Sequence, residues 1–149
     1  MGLSYKKVLV AIDGSKEAEW ALKKAIDICK RYHSDLVITH MIDLKQFASI
    51  VSYDITIRQQ SEGYGNQLLS EYKNLAIQSG VENVFTVIEY GSPKIKIAKD
   101  IAPKYNIDLI VCGATGLNAV ERFLLGSVSE NITRYANCDV MVVRTEKEI

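Results

Sequence analysis

The sequence predicts an α/β protein built on a single open, mainly parallel sheet with helices on both faces. Five short apolar runs are typical of parallel strands that are buried on both sides. Amphipathic segments with a helical period separate these runs, so strands and helices alternate along the chain. Such alternation implies helical crossovers between parallel strands. No repeat or linker interrupts the pattern, and we expect one domain over residues 1–149.

The first half of the chain supplies two strands and the helix between them. Residues 8–12 and 36–42 are continuous apolar runs. Over residues 16–32, apolar side chains recur at helical spacing, and the Ser15 hydroxyl is predicted to cap the first turn. His40 lies within the second run, and we interpret it as a hydrogen-bonded structural residue.

The segment between the second and third strands has a less regular pattern. Residues 43–56 mix apolar and polar side chains without a clear period, which fits either a loop that covers the site or an irregular helix start. An amphipathic stripe then predicts a helix that ends at Gly80, a typical C-terminal cap residue. The stripe consists of Tyr64, Leu68, Tyr72, Leu75 and Ala76.

The second half of the chain continues the alternation. Residues 84–88 and 109–112 are the third and fourth predicted strands, and Pro93 begins the helix between them, where its missing N–H costs nothing. A further helix is predicted from Ser127, and residues 140–143 form the last strand. The inward face of that helix is expected to consist of Val128, Ile132, Tyr135 and Ala136.

Composition argues against several classes of partner. Lys and Arg (18) balance Asp and Glu (18), so no charge excess indicates nucleic acid or an anionic membrane. No apolar run reaches the roughly 18 residues of a membrane-spanning helix. The three cysteines have no close pair, and we expect buried, reduced thiols. These features together predict a cytoplasmic protein.

The most informative residues follow the first and fourth predicted strands, which we expect to be neighbours. In an open α/β sheet, ligands bind at the carboxyl ends of such strands. The first loop contains Asp13, an acceptor for hydroxyls or a base-edge amine, although an ordinary Asx turn is an equal alternative. The second loop contains glycines that let the backbone approach a ligand closely. Its motif is Gly113-x2-Gly116-x9-Gly126-Ser127.

The start of the last helix is predicted to bind a phosphate chain. Ser127, Val128 and Ser129 have free backbone N–H groups at the positive end of the helix dipole, and Gly126 lets an anion come close. The hydroxyls of Ser127 and Ser129 are candidate further donors. A loop exit followed by a helix cap is the equal structural alternative.

Familiar catalytic and metal-binding motifs are absent from the sequence. It contains no P-loop, no GxGxxG after the first strand and no GxSxG nucleophile elbow. His33 and His40 lack the spacing of a metal site. We therefore predict no catalytic residue and no metal centre built from protein ligands.

Four segments together resemble the universal stress protein family. They are residues 8–15 (Val-Leu-Val-Ala-Ile-Asp-Gly-Ser), 39–43 (Thr-His-Met-Ile-Asp), 91–93 (Gly-Ser-Pro) and the glycine motif. The resemblance implies a Rossmann-like, five-stranded parallel sheet of order 3-2-1-4-5. The complete glycine motif implies the ATP-binding branch of the family. The resemblance also implies a homodimer that pairs the last strand, Val140 to Val143, across a two-fold axis.

The same resemblance implies a ligand site. Asp13 would contact the adenosine part of ATP, and Met41 would flank the adenine. Lys16 and Arg122 are the few candidate cations, so Mg²⁺ bridging the phosphates would supply positive charge. Some relatives carry a histidine where Thr115 stands. The residues that would line the ribose and hold the phosphates are Gly113, Thr115, Gly116, Gly126, Ser127, Val128 and Ser129.

The leading hypothesis is a regulatory protein of the stress response that binds ATP or another adenine nucleotide and acts as a sensor or switch. The alternative is a slow ATP-hydrolysing or phosphotransfer enzyme. Phosphoryl transfer needs charge neutralisation and an oriented nucleophile, whereas the sequence has a phosphate cradle but no clear base and no fixed lysine. A third hypothesis is a dimeric interaction protein without nucleotide, and the intact glycine motif counts against it.

Overall fold

The five strands form one parallel sheet in the order β3-β2-β1-β4-β5, which confirms the predicted fold class and strand order. The computed structural model describes residues 3–43, 55–115 and 125–146. β1 is central and pairs with both β2 and β4, so the predicted neighbours are adjacent. The strands are β1 (Lys7–Ile12), β2 (Asp35–Ile42), β3 (Val84–Tyr90), β4 (Leu109–Gly113) and β5 (Asp139–Val143).

Helices connect the strands and cover both faces of the sheet. The predicted stripe marks only the later part of the second helix, which begins at Ile55. Within the described ranges, no helix is long and apolar enough to cross a membrane. The α-helices are α1 (Lys16–Tyr32), α2 (Ile55–Gln78), α3 (Pro93–Lys96), α4 (Ala102–Lys104) and α5 (Ser127–Tyr135).

The ends of α1 and α2 have the caps that the sequence predicts. The Ser15 hydroxyl accepts a hydrogen bond from the Ala18 N–H at 3.2 Å, which satisfies one of the free donors of the first turn. Gly80 has a φ of +111° just after α2, a conformation that glycine adopts at little cost. Both boundaries are confirmed.

The crossover from β3 to β4 contains a π-helical turn, Ile97–Ile101, between α3 and α4. The Ala102 N–H donates to the carbonyl of Ile97, five residues earlier, instead of to the residue four earlier. Pro103 follows and has no N–H to continue the regular pattern. The apolar residues of this crossover still face the sheet, since Ile97, Ala98, Ile101 and Ala102 are buried.

The core consists of two layers, one on each face of the sheet. Successive residues of β1 point to opposite faces, with Val8 and Val10 in the layer under α1 and α2, and Leu9 in the layer under α5. His40 is buried, and its Nδ1 donates to the Ile12 carbonyl at 3.1 Å, so it is hydrogen-bonded as predicted. Tyr135 was predicted to face inward, and this is wrong. It is 39% exposed, with the Lys99 ammonium 4.3 Å from its ring centre.

Candidate functional site

A cavity of about 510 Å³ opens at the carboxyl ends of the central strands. This is the edge where an open α/β sheet binds ligands. The structure brings most of the predicted site residues together around this cavity. Gly116 lies outside the described residues, as does Arg122. The predicted residues that line the cavity are Asp13, Met41, Gly113, Thr115, Gly126, Ser127, Val128 and Ser129.

The loop after β1 contains the Asx turn that was the structural alternative for Asp13. Asp13 Oδ1 accepts a hydrogen bond from the Ser15 N–H at 2.9 Å. Gly14 between them has a φ of +86°, and a Cβ there would clash with the Tyr64 hydroxyl. Because Asp13 also lines the cavity, its turn fixes a carboxylate beside any ligand that enters.

The loop after β4 is fastened to α1 by Glu17, a residue that the sequence reasoning missed. The Glu17 carboxylate accepts a hydrogen bond from the Thr115 N–H at 2.7 Å and a second one from the Thr115 hydroxyl. Glutamate in the first turn of a helix is explained by the helix dipole alone. The sequence therefore gave no separate signal for this contact.

Gly113 has a packing role that was not predicted from the sequence. From the sequence, we expect this glycine to let the backbone approach a ligand closely. In the structure, a Cβ at Gly113 would lie 3.0 Å from the carbonyl carbon of Glu17 and 3.0 Å from its Cβ. The glycine thus lets α1 pack closely against the end of β4, although its backbone still lines the cavity.

The first turn of α5 lines the cavity with Ser127, Val128 and Ser129. The Ser129 side chain is 2% exposed, and its hydroxyl donates to the Ala114 carbonyl at 2.8 Å, with the Gly126 carbonyl at 3.0 Å. That hydroxyl is therefore engaged within the protein and is not a free donor. The first N–H to bond within the helix is that of Glu130, which donates to Gly126. The amides of Ser127, Val128 and Ser129 precede it, as in any first helical turn.

The end of β2 and the side of α2 form the opposite wall. Met41 is 8% exposed, so its side chain belongs mainly to the core layer under α5. Tyr64 of α2 contacts His40 edge to face, with ring centres 6.2 Å apart. A Cβ at Gly65 would lie 2.7 Å from the His40 ring, so this glycine allows the close approach of α2. Tyr64 was predicted only as part of an apolar stripe, yet it lines the cavity.

The charged side chains around the cavity are few. Among the described lining residues, Asp13 and Asp43 are acidic and Lys94 is the one lysine or arginine. Lys16, the predicted candidate cation, is exposed and is not part of the lining. The residues that the structure describes contain no group of three or more His, Cys, Asp or Glu side chains that could hold a metal ion.

The thiol that lines the cavity is not activated. Burial raises the pKa of the Cys112 thiol from 9.0 to about 12. Burial also raises the pKa of Cys29 to about 12. Since the thiolate is the reactive form of cysteine, neither side chain is a nucleophile at neutral pH. The cysteines are free thiols, and Cys29 and Cys112 are buried as expected, whereas Cys138 is partly exposed.

A parallel sheet in this strand order, with a cavity at its carboxyl edge and a helix N-terminus facing that cavity, is characteristic of α/β ligand-binding proteins. The universal stress protein family model matches residues 4–144, and the chain belongs to this family. A Staphylococcus haemolyticus protein whose name assigns it to the universal stress proteins is 50% identical over 145 residues, covering 97% of this chain and 88% of that protein.

Solved structures of the family have the same fold. The universal stress protein UspA of Lactobacillus plantarum is 28% identical, has a TM-score of 0.85 and is matched over 96% of this chain and 100% of that one. A universal stress protein crystallised in complex with cAMP is 25% identical, with a TM-score of 0.69 and coverage of 95% of this chain and 98% of that one. A ligand of that relative is thus an adenine nucleotide.

Proposed function

We propose that this protein is a regulatory protein of the stress response that binds ATP or another adenine nucleotide and changes its interactions with partners when it does so. The observation that carries this proposal is the convergence of the residues predicted from two distant loops on one cavity. The cAMP complex of a relative supports an adenine nucleotide as the ligand. Residues 1–149 would act as one nucleotide-binding domain.

The cavity suggests an orientation for the nucleotide. The phosphates would lie against the amides of Ser127 and Val128, because unpaired N–H groups and the helix dipole both favour an anion there. Asp13 would accept hydrogen bonds from the adenosine part, and the adenine would lie near Met41. Gly116 would complete the ribose and phosphate contacts. This orientation keeps the carboxylate of Asp13 away from the phosphates.

Binding without rapid turnover is the form of the proposal that the side chains favour. The Asp13 carboxylate already holds the Ser15 N–H, and the Glu17 carboxylate already holds Thr115. In the proposed orientation Asp13 meets the adenosine part, and Glu17 is not among the residues that line the cavity. Neither carboxylate is therefore placed to orient an attacking water at the phosphates, as phosphoryl transfer requires. Mg²⁺ would bind through the phosphates and water rather than through a cluster of protein ligands.

We also propose a homodimer through β5. This strand lies at one edge of the sheet, and Met141 in it is 38% exposed. Pairing Val140 to Val143 with the same strand of a second copy would satisfy the free edge and cover its apolar side chains. Analytical ultracentrifugation over a range of protein concentrations tests the homodimer, and a monomer at every concentration would contradict it.

The free thiols are consistent with a reducing compartment, and we propose that the protein is cytoplasmic.

The decisive experiment on nucleotide binding uses protein that is purified without added nucleotide. Denaturation and mass spectrometry of the released small molecules identify any nucleotide that co-purifies. Calorimetric titration with ATP, ADP and GTP, each with and without Mg²⁺, then measures affinity, and phosphate release measures turnover. We expect adenine nucleotides to bind more tightly than GTP, with negligible turnover. Absence of adenine-nucleotide binding would overturn the proposal, and rapid phosphate release would favour the enzyme.

A further inference from the structure

Lys94 is the cation that the sequence reasoning did not find at the cavity. It stands in α3, one residue after Pro93, and both residues line the cavity. Its side chain is exposed, and no contact with another described residue engages its ammonium group. The other two lysines of this crossover before Pro103 are differently placed. Lys96 forms an ion pair with Glu89 at 3.6 Å, and Lys99 lies over the Tyr135 ring.

The fold brings Lys94 to the same side of the cavity as the start of α5. α3 packs against α5, and Ser127 and Val128 at the start of α5 line the cavity together with Lys94. A lysine side chain is long and flexible, so its ammonium can reach a ligand held by those amides. The acidic residues Asp13 and Asp43 line the same cavity. Without Lys94, the described lining would therefore carry only negative charge beside the backbone amides.

We propose that Lys94 contacts the outer phosphates of the bound nucleotide and sets a preference for nucleoside triphosphates and diphosphates over monophosphates. This inference rests on the proposed function, because it assigns the phosphorylation state of the same ligand. An ammonium that meets the β- and γ-phosphates adds attraction that adenosine and AMP cannot use. The attraction is partly exposed to solvent and is therefore weakened by salt.

The test compares Lys94→Met with Lys99→Met, which removes the same charge from the same crossover but away from the cavity. Calorimetric titration measures the affinities of each full-length variant for ATP, ADP, AMP and adenosine in EDTA. A second series contains Mg²⁺. We expect Lys94→Met to weaken ATP binding about tenfold, or about 1.4 kcal/mol, and adenosine binding less than about twofold. Lys94→Arg should restore most of the loss, and added salt should shrink the difference.

The outcomes separate this inference from the proposed function. If the wild-type protein binds ATP and Lys94→Met binds it as tightly as Lys99→Met does, the Lys94 assignment is wrong and nucleotide binding stands. An equal loss of affinity for ATP and adenosine would also overturn it. Adenosine has no phosphate, so the loss of a phosphate contact cannot weaken its binding. If the wild-type protein binds no adenine nucleotide, the proposed function fails and this inference fails with it. Thermal denaturation of the variants checks that each is folded.

Discussion

The two sides of the cavity are built in different ways. The anchored side consists of Asp13, Gly113 and Thr115. Asp13 is hydrogen-bonded to the Ser15 N–H, and Glu17 of α1 binds Thr115 and packs closely against Gly113. The open side consists of Lys94, Gly126, Ser127 and Val128, which present a lysine side chain and a helix N-terminus to the cavity. The anchored side therefore depends on internal contacts, whereas the open side offers groups that a ligand can use.

This difference implies that substitutions on the two sides should have different consequences. A change on the anchored side removes or strains contacts that the folded protein already makes, so it should lower the free energy of unfolding. A change on the open side should lower ligand affinity and leave the folded state nearly as stable. Each variant should therefore be measured both for stability and for nucleotide affinity.

The largest effect is expected from Gly126→Val on the open side. The added side chain would stand where an anion approaches the first amides of α5, so ATP affinity should fall by about a hundredfold or more, which is about 2.7 kcal/mol. Calorimetric titration measures the loss. Gly126→Ala is the graded control and should weaken binding less. The backbone of Gly126 has a φ of −66°, which any residue adopts, so the protein should remain folded. Normal ATP binding by the valine variant would disprove the phosphate assignment.

The next effect is expected from Gly113→Val on the anchored side. Its Cβ would lie 3.0 Å from backbone and side-chain carbons of Glu17, and two further methyl groups would add to the crowding. We expect the free energy of unfolding to fall by about 2–3 kcal/mol, as in other overpacked cores, which urea denaturation measures.

The matched control for Gly113→Val is Gly63→Ala in α2. A Cβ at Gly63 meets nothing within 4 Å, and the helix gains an alanine in place of a glycine. This variant should be more stable by about 0.5–1 kcal/mol. Equal stability of the Gly113→Val variant and the wild-type protein would show that α1 does not pack closely against the end of β4.

The open side was largely predictable from the sequence, because its signals are local. A glycine, a serine and a helical pattern define the start of α5 within a few residues. Asp13 was also predictable, since it follows a strand that reads as apolar throughout. The strand order itself came from the family resemblance, and the adjacency of β1 and β4 followed from where the unusual loops lie.

The contacts of Glu17 with the loop after β4 were not predictable, because they join distant parts of the chain. Glu17 and Thr115 are 98 residues apart, and the pairing of β1 with β4 brings them together. An acidic residue in the first turn of a helix also has a sufficient local explanation. Lys94 became a candidate only when α3 was found beside α5. Tyr64 was hidden for another reason, since an aromatic residue in an apolar stripe normally indicates core packing.

A smaller effect is expected from Glu17→Ala, which removes the acceptor of the two Thr115 hydrogen bonds. The contact is partly buried, and its loss should lower the free energy of unfolding by about 1–2 kcal/mol. Thr115→Val removes the hydroxyl but keeps the N–H, so it should cost less. The double variant should cost less than the sum of the single variants, because both disturb one contact. Strict additivity in urea denaturation would contradict the coupling of Glu17 to Thr115.

The smallest effect concerns Cys112, which lies in β4 next to the anchored side. Folding raises the pKa of its thiol from 9.0 to about 12, and the cause is burial. Above pH 9 the unfolded state releases a proton that the folded state keeps. The free energy of unfolding therefore has its full value below pH 9 and falls as the pH rises towards 12. This linkage should lower the free energy of unfolding by about 1.4 kcal/mol at pH 10 relative to pH 8. Urea denaturation at both pH values should show a smaller decrease in the free energy of unfolding for Cys112→Ala than for the wild-type protein.

The control is Cys138→Ala. Cys138 is partly exposed, so this variant should change the pH dependence less. An unchanged decrease in the Cys112→Ala variant would mean that the carboxyl end of β4 is accessible to water, and the anchored side would then be less tightly packed than its hydrogen bonds indicate.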